Sequence, residues 1–120
     1  MTWRILAAAG LIVVLLAGGV LLRGAVADTC AAVGKLLEQA AADRDPETLD
    51  SALALWEERL PLLSCAVTHD RLERIGEGII RAKGCLEAGT EPAFRVQLAS
   101  VLYLLEDIRE YDDINVRTVL

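Results

Sequence analysis

The stretch ILAAAGLIVVLLAGGVLL, residues 5–22, decides the architecture: 18 consecutive residues carry no charge and no strongly polar side chain. At about 1.5 Å per residue a helix of that length reaches roughly 27 Å, close to the ~30 Å hydrocarbon thickness of a bilayer. Trp3 and Arg4 stand before it and Arg23 after it, where interfacial aromatic and snorkelling side chains sit. The sequence therefore predicts a transmembrane helix that meets the lipid bilayer through residues 5–22.

Outward from this segment the chemistry changes. All 18 acidic residues lie at or beyond Asp28. Arg4 and Arg23 flank the apolar run, which leaves 10 of the 12 basic residues and a net charge of −8 from Asp28 onward. That balance disfavours nucleic acid and anionic headgroups as partners, and its first consequence is solubility. Two parts follow: an N-terminal anchor over residues 1–27 and an acidic helical domain over residues 28–120.

Ala25-Val26-Ala27 also has the small-x-small form of a signal-peptidase site, with a cut before Asp28. Two features favour a retained anchor. The apolar run exceeds the roughly 7–15 residues of a secretory h-region, and Arg23 sits where a neutral stretch is normal. In either case the domain is expected outside the cytoplasm. Arg4 and the terminal amine precede the span and Arg23 is offset by Asp28, so the positive-inside bias puts the N-terminus in the cytoplasm.

The remainder reads as helices. From Asp28 or Thr29 to about Ala42 an apolar face runs through Cys30, Val33, Leu37 and Ala40, the i, i+3, i+4 pattern of an amphipathic helix, and it can simply continue the membrane helix. Asp45 before Pro46 predicts an N-cap and a second helix to about Leu60, where Pro61 ends or kinks it. Its stripe is Leu49, Ala52, Leu53, Trp56 and Leu60. A third helical stretch over 62–89 turns Cys65, His69, Leu72, Ile75, Ile79, Ala82 and Leu86 inward. It has a capping-box pattern at Asp70-Arg71-Leu72-Glu73 where it can restart. Gly89 suits the C′ position, and Thr90 is expected to cap the last helix, which runs from about Pro92 to Asp112. That helix carries the stripe Phe94, Leu98, Val101, Leu105 and Ile108, widened by Leu102, Leu104 and Tyr111, and the alternating tail 114–118 is expected to be extended. Short loops imply antiparallel neighbours. The fold class is all-α, a transmembrane helix followed by an antiparallel bundle of three to four helices.

The runs Trp56-Glu57-Glu58-Arg59-Leu60, Thr68-His69-Asp70-Arg71-Leu72-Glu73-Arg74-Ile75 and Asp113-Ile114-Asn115-Val116 resemble a family of short bacterial single-pass membrane proteins classed only as a domain of unknown function. The resemblance covers nearly the whole chain through loose motifs: an N-terminal span, a Trp, a His-acid pair and an apolar-Asn-apolar tail. Val116 stands where the family pattern has a second isoleucine. The resemblance implies a membrane-anchored helical domain, no assigned activity or ligand, and an accessory role beside multi-pass membrane proteins.

Residues able to carry chemistry are few. His69 is the only histidine, with Asp70 beside it and Glu73 one turn on. A His and an acid at i, i+4 can hold a metal or relay a proton, but a stable site needs three or four ligands, so a packed or capping role is favoured. The cysteines, Cys30, Cys65 and Cys85, form no C-x-x-C, which sets aside zinc and thioredoxin chemistry. Cys65 and Cys85 would lie roughly 30 Å apart along one helix. Cys30 and Cys65 are the one pair the layout could bridge, and the alternative is that all three are small apolar residues. Neighbouring acids such as Glu57-Glu58 do not share a helix face and make no general acid/base pair.

The sequence thus points to a non-enzymatic interaction or accessory domain without cofactor or metal, its partner a membrane or envelope protein. Leu55, Trp56 and Tyr103, at or beside the stripe edges and expected to be partly exposed, are the candidates for contact. The alternatives are a structural homo-oligomer, helped by Gly10, Ala17 and Gly24 recurring along one side of the span, and a metal-binding or enzymatic domain using His69, Asp70 and Glu73.

Overall fold

A computed structural model describes residues 2–119, with side chains as far as Glu110. It contains four helices: α1 (Thr2–Asp43), α2 (Pro46–Leu63), α3 (His69–Glu87) and α4 (Glu91–Val119). All regular structure among the described residues is α-helical.

α1 runs unbroken for 42 residues. Its apolar stretch is long enough to cross a membrane and none of it is buried against the rest of the chain. The same helix then changes role without a linker. Val26, four positions after Leu22, is fully buried, as are Cys30, Val33, Leu37 and Ala40 on the expected face. α1 packs on α2 and α4, and α3 packs on the same two helices, so the second half of α1 closes a ring of four antiparallel helices.

The turns are set by local chemistry. α1 stops because Arg44 adopts a left-handed conformation, φ 58°, and its N–H returns to the Ala40 carbonyl at 2.9 Å, the αL ending of a helix. Asp45 caps α2 as expected, its carboxylate accepting the Glu47 N–H at 3.0 Å. α2 continues past Pro61 to Leu63. The bond that Pro61 cannot make falls in the last turn, opposite the solvent-exposed Glu57, where its loss is cheap. At the far end of α3, Gly89 takes φ +73°. Its N–H reaches Leu86 O at 3.2 Å and that of Thr90 reaches Cys85 O at 3.1 Å, a complete Schellman closure.

Several expectations are corrected. α3 starts at His69 with Thr68 at the N-cap, so Asp70 is inside the first turn and forms no capping box. Thr90 does not use its hydroxyl to cap α4; the hydroxyl donates back to Cys85 O at 3.1 Å. α4 passes Asp112 and stays helical to Val119, so the tail 114–118 is not extended. No glycine or proline follows Pro92 to stop the helix. The expected α4 stripe, Phe94, Leu98, Val101, Leu105 and Ile108, is buried throughout. Tyr111, expected to widen it, lies outside the residues with described side chains.

The core is continuous from Leu63 and Val26 at the span end to Ala40 and Phe94 at the far end. α3 approaches α4 closely at Gly78. A Cβ added at Gly78 would stand 2.5 Å from Val101 Cγ2, so the missing side chain is what lets the two helices touch.

Candidate functional site

A groove of about 580 Å³ lies between the second half of α2 and the first half of α3. It is built by the way Trp56 is seated. The ring is 1% exposed, and its indole N–H donates to the Leu72 carbonyl at 3.2 Å. Gly76 sits one turn beyond Leu72, and a Cβ there would rest 3.8 Å from Trp56 Cδ1, in ordinary contact. With only hydrogen at that position, the wall of α3 stays low and the groove stays open.

Leu53, Leu60, Leu72 and Ile80 line the groove together with Trp56; Ile80 is 56% exposed. The charged residues on its rim are Glu57, Glu73 and Glu77, with His69 at one end, and no Lys or Arg lines it. Glu73 accepts from His69 Nε2 at 3.0 Å, and Glu77 faces Arg81 at 3.6 Å on the outer side. α2 returns toward the span that α1 leaves, so Trp56 comes roughly level with Val33. Eleven positions from Leu22 to Val33 amount to about 16 Å of helix, so the groove lies about that far along α1 from the end of the apolar stretch.

Of the polar trio His69, Asp70 and Glu73, the structure brings His69 and Glu73 together and leaves Asp70 apart. His69 has an 82% exposed side chain, not the inward one expected from periodicity; it sits on the first turn of α3, at the end of the groove beside Leu60, Pro61 and Ser64. It pairs with Glu73, while Asp70 turns to Arg74 at 3.1 Å. Among the described residues no three His, Cys, Asp or Glu side chains converge as metal ligands would.

The cysteines are also rearranged. Cys30 is buried in the core, Cys65 is exposed in the α2–α3 turn, and Cys85 is half-buried near the end of α3. No disulfide joins any of them. Cys65, expected to face inward, instead donates its Sγ–H to Pro61 O at 3.6 Å, because the turn carries it off the helix face. Of the contact candidates, Tyr103 is 72% exposed and Leu55 half-buried, but Trp56 is enclosed and serves as the groove's inner wall.

Periodicity missed a second polar feature at the end far from the span. Arg44 donates through Nε to Ala41 O at 2.8 Å, pairs with Glu91 and lies 5.3 Å from the centre of the Phe94 ring. Glu91 also bonds Arg95 at 3.1 Å. The Arg44 hydrogen bond holds the Glu91 carboxyl below its usual range. The available signal was an arginine in the Asp43-Arg44-Asp45-Pro46 break, at a position where glycine is usual.

No family model, curated protein or solved structure matches the chain. The family resemblance noted above therefore rests on its motifs alone.

Proposed function

We propose that the chain is a membrane-anchored, non-enzymatic interaction or accessory protein. The observation that carries it is the continuity of α1, an exposed apolar helix over residues 5–22 that becomes a core helix at Val26. A partner is then presented with a bundle held close to the bilayer rather than one on a flexible tether. The lack of converging metal ligands among the described residues fits this role, as does the net negative charge from Asp28 onward.

The anchor is retained in this reading. A cut before Asp28 would remove Val26, fully buried in the core, at about 1.5–3 kcal/mol for such a side chain. It would also remove Ala25, whose carbonyl accepts the Thr29 hydroxyl at 2.8 Å. Arg4 before the span and the Arg23–Asp28 offset after it orient the bundle to the extracytoplasmic side.

Carbonate extraction, intact mass and protease accessibility in sealed vesicles test the anchor. Full-length mass in the membrane pellet, with the bundle digested only from the outer side, is expected. A mature start at Asp28, or protection from outside protease, would overturn the anchor or its orientation respectively. Crosslinking in mild detergent separates a distinct membrane partner from self-assembly into a homo-oligomer.

A further inference from the structure

We infer that the α2–α3 groove is a docking site for a basic amphipathic helical segment of a partner protein. This deepens the interaction reading and rests on it. Among the described residues, the groove leaves apolar surface uncovered beside a rim whose lining carboxylates face no lysine or arginine of the cleft. Leu53, Leu60 and Ile80 offer an apolar face broken open at Gly76, while Glu57, Glu73 and Glu77 supply carboxylates on both sides with no lysine or arginine lining the cleft.

A helix laid in such a groove inserts apolar side chains at i, i+3, i+4 and i+7 and leaves its flanks at the rim. Lysine or arginine at those flanks meets Glu57 on α2 and Glu77 on α3. An acidic helix meets repulsion there, and a neutral one leaves the carboxylates to desolvate without a partner. The ion pairs already present do not close the rim. Glu77 reaches Arg81 on its outer side, His69 caps only the end of the groove at Glu73, and Glu57 has no ion-pair partner among the described residues. The position of the cleft, about 16 Å along α1 from the end of the apolar stretch, places it within reach of a juxtamembrane helix of another membrane protein.

The test uses the full chain in nanodiscs of phosphatidylcholine, whose zwitterionic headgroups hold little attraction for basic peptides. Trp3→Phe leaves Trp56 as the only tryptophan, so its fluorescence reports the groove. The probe is a leucine–lysine peptide with leucines at i, i+3, i+4 and i+7, with a leucine–glutamate peptide of the same pattern as the counterpart. Saturable binding of the lysine peptide is expected, and none of the glutamate peptide. Gly76→Leu fills the cleft without altering its charge and should weaken binding about tenfold or more, and Glu57→Gln with Glu77→Gln should weaken it and flatten its salt dependence.

Equal binding to Gly76→Leu, with the variant's helical melt intact, would overturn the proposal. So would equal binding of the two peptides. A wild-type dimer that Gly76→Leu dissolves would overturn it by seating a second copy in the groove. A membrane partner that co-purifies equally with wild type and Gly76→Leu overturns the groove while leaving the interaction reading intact. The absence of any crosslinked partner or self-assembly instead strikes that reading itself.

Discussion

The indole N–H of Trp56 donates to the carbonyl oxygen of Leu72 at 3.2 Å, across the α2–α3 interface and fully out of solvent. One side chain thereby satisfies its polar atom, fills the core and forms the inner wall of the groove. The Leu72 carbonyl lies in the first turns of α3, where the helix ladder also uses it, so removing the indole leaves no bare acceptor behind.

Trp56→Phe is accordingly expected to cost about 1–2 kcal/mol, one net hydrogen bond plus a modest void. Trp56→Ala should cost about 3–5 kcal/mol, as full truncation of a large buried aromatic does. Urea melts followed by circular dichroism measure both, and equal losses in the two variants would show that the hydrogen bond, which both lose, matters rather than ring volume.

Three glycines of α3 are expected to differ in sign. Gly84 meets nothing within 4 Å and Gly76 only ordinary contacts, so alanine at either should stabilise the helix by about 0.5–1 kcal/mol. Gly78→Ala places its methyl 2.5 Å from Val101 Cγ2 and should destabilise, because the overpacking cost of about 1–3 kcal/mol outweighs the gain in helix propensity. Melting temperatures of the three single variants check the pattern; a stabilised Gly78→Ala would sink the close-approach argument.

At Arg44 two effects separate. Alanine there loses the contacts to Glu91 and Phe94 and keeps the left-handed backbone, whereas glycine loses the same contacts but relieves the backbone. Arg44→Ala should therefore be less stable than Arg44→Gly by about 1 kcal/mol. The comparison is made by denaturant titration of both variants in the same detergent.

The charged pairs set a pH dependence. The Glu91 carboxyl is held low, chiefly by its hydrogen bond to Arg44. Its contribution is present above its ordinary value of about 4.5 and is lost as pH falls through the lowered one. The Lys83 ammonium is held high, first by its hydrogen bond to Asp50, so its contribution is complete below about 10.5 and disappears as pH rises beyond that. Tm differences between wild type and Glu91→Gln should shrink below pH 4.5, and those between wild type and Lys83→Met should shrink at the alkaline end. A constant gap across either range would contradict the assignment.

Much of the fold was legible because it depends on local chemistry and helical period. The uncharged run 5–22, the Asp45-Pro46 start of α2, Gly89 after α3 and the buried stripe from Phe94 to Ile108 each follow from residues within one or two turns of one another. The groove was not legible in the same way. Trp56 belongs to its stripe, yet only the position of α3, with Leu72 offering a carbonyl and Gly76 offering no side chain, turns it into the wall of an acidic cleft.

By itself the sequence determined which residues can enter lipid, which faces turn inward and where the chain must bend, since these are properties of composition and period. The tertiary structure alone decided where each helix outlasts its neighbour. That is why His69 and Cys65, in phase with the core, point to solvent at the α2–α3 turn. It is also why Arg44, in a turn between helices, gathers Glu91 and Phe94 from a segment about fifty residues away. Periodicity fixes an angle around a helix axis; only packing fixes what stands opposite it. The apolar run 5–22 belongs to the first class, and its unbroken continuation into the core at Val26 belongs to the second.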